Sequence, residues 1–157
     1  MRTHQLQRTQ ILGISLEEAW RFFTNPANLN EITPASMGFR MLDTIPEKVY
    51  PGMIIRYTVK PLLNIPVHWV TEITQVEEKA FFIDDQRVGP YRLWHHQHLF
   101  RETAEGVEMT DIVTYALPLG LLGRLAGSLF VHRKVRKIFD YRYHILEKHF
   151  KQGTKAP

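Results

Sequence analysis

The sequence predicts an α+β domain: a curved antiparallel sheet of about seven strands wrapped around one long C-terminal helix. Three observations carry this. Strand-like runs recur between Met37 and Tyr115, separated by turn residues and not by helices, which makes a meander rather than βαβ units. A capping box and two proline breaks set two short helices directly after the first strand. From Leu121 to Phe150 no proline interrupts a helical periodicity.

The bulk composition narrows the class. A chain of 157 residues can bury a core as one domain, here 1–150, with a loose polar tail over 151–157. The content, 44% hydrophobic and 23% charged, is ordinary for a soluble globular protein. The absence of cysteine excludes disulfides, thiolate nucleophiles and zinc–thiolate sites. No apolar run approaches the ~20 residues of a membrane span, and the start Met1-Arg2-Thr3-His4-Gln5 lacks a signal-peptide core, so a cytoplasmic location is expected. The net charge of +4 is moderate and gathers late, in His132-Arg133-Lys134-Val135-Arg136-Lys137. Such a run is a solvated helix face or a docking patch for an anionic surface. No helix-turn-helix, zinc-finger or RNP-type pattern accompanies it, so nucleic acid is not an expected partner.

Taken in order, residues 2–12 alternate as a first strand whose faces are not cleanly apolar and polar. Ser15 to Glu18 is the capping box; the helix it starts carries Leu16, Ala19, Trp20 and Phe23 on one side and stops at Asn25-Pro26. Pro26 to Ile32 makes a second short helix, ended by Thr33-Pro34. Strands follow at Met37–Leu42, Met53–Val59, Pro66–Val76 and Phe81–Arg87. Leu117-Pro118-Leu119-Gly120 then breaks the pattern. The terminal helix carries a stripe of Leu121, Leu125, Ser128, Val131, Val135, Ile138, Phe139, Arg142 and Leu146. Its length, roughly 45 Å at 1.5 Å per residue, crosses a whole domain.

Between the fourth of these strands and that break lies the organising hairpin. Gly89 to Phe100 reads as one strand, with Trp94, His96, His98 and Phe100 on one face and Tyr91, Leu93, His95, Gln97 and Leu99 on the other. Val107 to Tyr115 follows a turn at Thr103-Ala104-Glu105-Gly106. A four-residue turn pairs Phe100 with Met109, His98 with Asp111, His96 with Val113 and Trp94 with Tyr115. A slip of one residue would turn the apolar set outward, so this register is well specified. The resulting surface is apolar with two imidazoles and a carboxylate set into it. It is either the wall of a small-molecule pocket or a core in which His98 and Asp111 satisfy each other.

The motifs Phe82-Ile83-Asp84-Asp85-Gln86, Gly89-Pro90-Tyr91, Trp94-x-His96-x-His98-x-Phe100, Asp111-x-Val113-x-Tyr115, Pro118-x-Gly120 and Ile138-Phe139-Asp140-Tyr141-Arg142 resemble those of bacterial SRPBCC proteins labelled polyketide cyclase/dehydrase-like. The element order likewise resembles the helix-grip fold of the START and Bet v 1 superfamily. The resemblance covers roughly residues 2–150 and implies a cavity between the sheet and the terminal helix. That superfamily binds lipids, sterols, hormones and polyketides and also hosts enzymes, so the likeness is specific for fold and weak for activity.

The expected function is therefore binding or carriage of a small hydrophobic molecule, a lipid, polyketide or similar metabolite. Trp69, Trp94, His96, His98, Phe100, Asp111, Tyr115, Phe139 and Arg142 are the candidate ligand-binding residues. The alternative is a cofactor-independent cyclase, dehydratase or isomerase. It would use His98, Asp111 and His96 as acid–base groups, since a carboxylate beside an imidazole fixes its tautomer and raises its basicity. A third possibility is an interaction module whose cavity is only structural.

His96-x-His98 could also form half of a metal site, with Asp111 as third ligand. No further histidine shares that face unless His68 comes near, so neither a metal nor a cofactor is expected. Arg142 either snorkels past the sheet edge or meets Asp111 or Asp84 inside, where it could anchor a carboxylate or phosphate. Asp84 and Gln86 face the interior only if the Val88-Gly89-Pro90 turn preserves parity. Leu117 to Phe130 is either the buried start of the helix or a portal segment making transient membrane contact.

Overall fold

The structure, a computed structural model, describes residues 2–44, 46–62, 65–118 and 126–151. Among the described residues seven strands form one antiparallel sheet: β1 (His4–Leu12), β2 (Arg40–Met41), β3 (Ile54–Leu62), β4 (Ile65–Glu77), β5 (Phe81–Val88), β6 (Leu93–Thr103) and β7 (Gly106–Ala116). Their order across the sheet is β1-β7-β6-β5-β4-β3-β2, so the first strand closes onto the last and the rest is a meander. Helices α1 (Leu16–Phe23) and α2 (Ala126–Lys151) complete the fold, with 3₁₀ turns at Pro26–Asn30 and Ala35–Met37.

Local chemistry explains the boundaries. Ser15 Oγ accepts the Glu18 amide at 3.2 Å while Glu18 accepts the Ser15 amide at 3.0 Å, so the capping box starts α1. Asn25 caps the following 3₁₀ turn through the Ala27 amide. The strand expected over Met37–Leu42 shrinks to Arg40–Met41, because Met37 ends a 3₁₀ turn and Gly38 takes a left-handed φ of 52°. β3 runs on through Pro61. It pairs with β2 only at Tyr57 and Thr58, so its far end is an edge where a missing amide is tolerated.

β6 begins at Leu93, not Gly89: Gln86 donates to the Tyr91 carbonyl at 2.7 Å and accepts its amide at 3.3 Å, clamping the intervening residues into a turn. Gly89, at φ 158°, lies inside that clamp, where a Cβ would meet the Gln86 side chain. Tyr91 therefore leaves the outward face assigned to it and packs 4.7 Å from Trp94, inside.

The β6–β7 register matches the pairing read from the sequence at every position: Phe100 with Met109, His98 with Asp111, His96 with Val113 and Trp94 with Tyr115. Helix α2 lies along the inner face of the sheet. Val135 and Phe139 pack on Val113 and Tyr115, and Leu146 joins the main core with Trp20, Phe23, Phe82, Phe100 and Met109. Arg8 on β1 forms an ion pair with Asp140 at 2.7 Å, tying the helix to that edge. Leu121 and Leu125 of the expected stripe, part of the portal segment and the tail from 152 lie outside the described residues. No helix among the described residues is long and apolar enough to cross a membrane.

Candidate functional site

Between the sheet and α2 lies a cavity of about 630 Å³, within the size range of small-molecule sites. Its walls come from the inner faces of β3 to β6, from the segment between α1 and β2, and from α2 between Phe130 and Arg142. Most of the lining is apolar, including Ile55, Trp69, Ile73, Trp94, Ile138 and Phe139. At another part of the wall Lys134 donates to the Pro61 carbonyl.

Two polar groupings interrupt these walls. In the smaller, Thr71 Oγ1 accepts from Trp69 Nε1 at 3.1 Å and pairs with the Tyr57 hydroxyl at 3.1 Å. Burial pushes the Tyr57 phenol well above its ordinary range despite the Thr71 hydrogen bond, and repulsion from Asp84 adds to the rise, so it remains neutral.

The larger grouping is Asp84, His96, His98, Asp111 and Arg142. Parity on β6 turns both histidines inward, and the ladder sets Asp84 of β5 opposite His96 and Asp111 of β7 opposite His98. The contacts interlace. His98 Nε2 lies 2.8 Å from Asp84 Oδ2 and His96 Nε2 lies 3.1 Å from Asp111 Oδ1. The other nitrogens complete the set, His96 Nδ1 at 3.3 Å from Asp84 Oδ2 and His98 Nδ1 at 3.0 Å from Asp111 Oδ1. Arg142 Nε stands 3.4 Å from Asp111 Oδ2, so this arginine meets Asp111 inside rather than snorkelling outward. Neighbouring rings pin the imidazoles: Phe82 stacks on His98 at 4.1 Å and Phe139 meets His96 edge-on at 5.4 Å.

Ionised carboxylates only accept, so the imidazole nitrogens donate in the two hydrogen bonds. Burial pushes the Asp84 carboxyl up, but the charge and hydrogen bonds of His96 and His98 outweigh it and hold the group well below the usual carboxylate range. Asp111 is likewise raised by burial, but Arg142 and both histidines outweigh this and hold it well below the usual carboxylate range. For His96 burial favours the neutral ring, and the flanking carboxylates of Asp84 and Asp111 reverse that, raising its pKa. Two carboxylates and one guanidinium thus share the buried cluster with the two imidazoles, and the opposite charges stand in contact.

The candidate residues are thus not all equivalent. Trp69, Trp94, His96, His98, Phe139 and Arg142 line the cavity. Phe100, Asp111 and Tyr115 do not. Phe100 is buried in the main core against Trp20 and Phe23, Asp111 sits behind the two imidazoles, and the Tyr115 hydroxyl turns to His132 Nδ1 at 2.6 Å. His68 is exposed and remote from His96 in the ladder. The third group on the wall is Asp84, which parity alone did not place. Gln86 instead closes the turn before β6.

Comparison with solved structures settles the architecture. The chain superposes on Ara h 8.0201, a Bet v 1 homologue, with a TM-score of 0.63 at 12% identity, over 96% of this chain and 99% of that one. The chain has the Bet v 1-like helix-grip fold. TTHA0849 from Thermus thermophilus matches with a TM-score of 0.73 at 13% identity, over 97% of this chain and 100% of that one. Protein Ms6760 from Mycobacterium smegmatis matches at 0.68 and 18%, over 95% and 92%. No family model matches the chain, and no curated protein matches it in sequence.

Proposed function

We propose that the protein binds or carries a small, mainly apolar molecule in the cavity between its sheet and α2. The observation that carries this reading is a space of about 630 Å³ with largely apolar walls between the sheet and α2. The Bet v 1-like fold supports it as an analogy of architecture. The bound molecule carries a polar end. An oxygen set against Arg142, His96 and His98 offsets the cost of keeping those groups from water, and a carboxylate or phosphate suits Arg142 best. Lipids and polyketide-like metabolites fit that description. A cavity of this size that the protein's own side chains do not fill speaks against a purely structural interaction module.

The test is native mass spectrometry of the protein purified from its own host. The reading expects a retained apolar compound that is lost on denaturation. A ligand-free mass, together with failure to bind any apolar probe, would count against it.

An acid–base enzyme of cyclase, dehydratase or isomerase type is the second reading. It is favoured by the exposure of His96, His98 and Asp84 on the cavity wall. In that case Asp111→Asn, altering a residue behind the imidazoles and off the cavity wall, abolishes turnover of the retained compound while leaving its binding intact.

A further inference from the structure

The interlaced contacts have a directional order. Each imidazole turns one nitrogen to Asp84 and the other to Asp111. His96 Nδ1 and His98 Nε2 face Asp84 Oδ2 at 3.3 and 2.8 Å, while His96 Nε2 and His98 Nδ1 face Asp111 Oδ1 at 3.1 and 3.0 Å. One carboxylate, Asp84, lies on the cavity wall with the two rings; the other lies behind them.

This is the layout of a metal centre with its supporting layer. Ligating atoms of Asp84, His96 and His98 all lie within 4.8 Å of one another. An ion about 2.1 Å from donors set at right angles spaces those donors about 3 Å apart, close to the two separations from Asp84 Oδ2. Histidines that hold a metal donate their remaining N–H to a carboxylate, which fixes the tautomer and the ring orientation. Asp111 stands where that carboxylate belongs, itself steadied by Arg142 at 3.4 Å. The rings are already held by Phe82 and Phe139. Of the two rings His96 makes that hydrogen bond, through Nε2 at 3.1 Å, whereas the buried His98 Nδ1 lies 3.0 Å from Asp111 Oδ1 without the alignment of one.

The geometry points to Asp84, His96 and His98 as a binding site for one divalent transition-metal ion, with Asp111 as its outer carboxylate and its open positions facing the cavity. Two imidazoles and one carboxylate suit zinc, iron(II) or cobalt(II) and leave coordination positions for water or a ligand oxygen. The site does not depend on an apolar molecule being bound, so either proposal can fail without the other.

Cobalt(II) added to the chelator-stripped, tag-free full chain tests it. One equivalent is taken up, with visible absorption bands that zinc abolishes by displacement. Asp84→Asn and His98→Gln weaken uptake by about a hundredfold or more, and Asp111→Asn by about ten- to hundredfold, with unchanged circular dichroism. The double variant His144→Gln/His149→Gln, altering exposed histidines of α2, leaves uptake unchanged. Should the site variants fail to fold, X-ray absorption of the ion bound to the unaltered protein reports two imidazole ligands. The proposal is overturned by the absence of stoichiometric uptake, by uptake that survives both Asp84→Asn and His98→Gln, by uptake lost in the double variant, or by an ion without imidazole ligands.

Discussion

Asp84 Oδ2 lies 2.8 Å from His98 Nε2, a diagonal contact across the β5–β6 ladder, in which Asp84 itself pairs with His96. Through it the carboxylate on the cavity wall joins the two imidazoles, and through them Asp111 and Arg142. The polar end of an otherwise apolar chamber is therefore one connected unit.

That unit makes Asp111 a stability determinant although it does not touch the cavity. In metal-free protein, Asp111→Ala leaves Arg142, whose side chain is only 11% exposed, without its nearby counter-charge. The expected loss is about 3–5 kcal/mol by chemical denaturation. Adding Arg142→Leu recovers a substantial part of it, because the unpaired cation is then gone. A loss under about 1 kcal/mol for Asp111→Ala would show that the ion pair is not coupled to the fold.

The first β6–β7 residue pair fixes the position of His98 against Asp111, so the turn that sets it is sensitive. Gly106 has φ 128°, and a Cβ there would run into the Leu12 carbonyl oxygen of β1. Gly106→Ala is expected to cost about 1–3 kcal/mol and to lower the denaturation midpoint without changing its slope. An unchanged midpoint would contradict this.

A separate corner gives the stability a pH dependence. Burial, then Arg2, lowers the pKa of His4; burial, then His4, Arg2 and Arg136, lowers that of His132, and the two ring centroids lie 3.9 Å apart with the rings tilted. His132 Nδ1 lies 2.6 Å from the Tyr115 hydroxyl; an unprotonated Nδ1 can accept from it, which a protonated Nδ1 cannot do. With folded pKa values below the ordinary 6.5, protons bind the unfolded chain more readily. This contribution is complete above 6.5 and declines as pH falls through the depressed values. Thermal melting across mildly acidic buffers checks it. His132→Gln, which keeps an acceptor but cannot take the proton, flattens the profile; an unaltered profile in that variant would remove His132 from the account.

What the sequence disclosed follows from which rules are rigid. The β6–β7 register was legible because strand parity cannot slip across a short turn and the odd face of β7 is apolar apart from Asp111. The capping box of α1 was legible because its two hydrogen bonds are local in sequence. Asp84 was not. The β4–β5 ladder shifts register between Val70 and Thr71 and again between Ile73 and Gln75, and the Gln86 clamp breaks parity before β6. The same clamp carried Tyr91 inward. Arg142 stood out as the one cation in an apolar stripe, but only the three-dimensional position of Asp111 decides between its two possible directions.

The ligand chamber is tested most directly by nitrogen-edited proton NMR of the indole N–H groups during titration with an apolar aromatic probe such as anilinonaphthalene sulfonate. The chain has three tryptophans; Trp69 and Trp94 line the cavity, whereas Trp20 packs in the core against Phe82 and Phe100. The account predicts saturable, one-site shifts of the Trp69 and Trp94 signals while that of Trp20 stays in place. Binding that leaves Trp69 and Trp94 no more perturbed than Trp20, or no saturable binding, would contradict it.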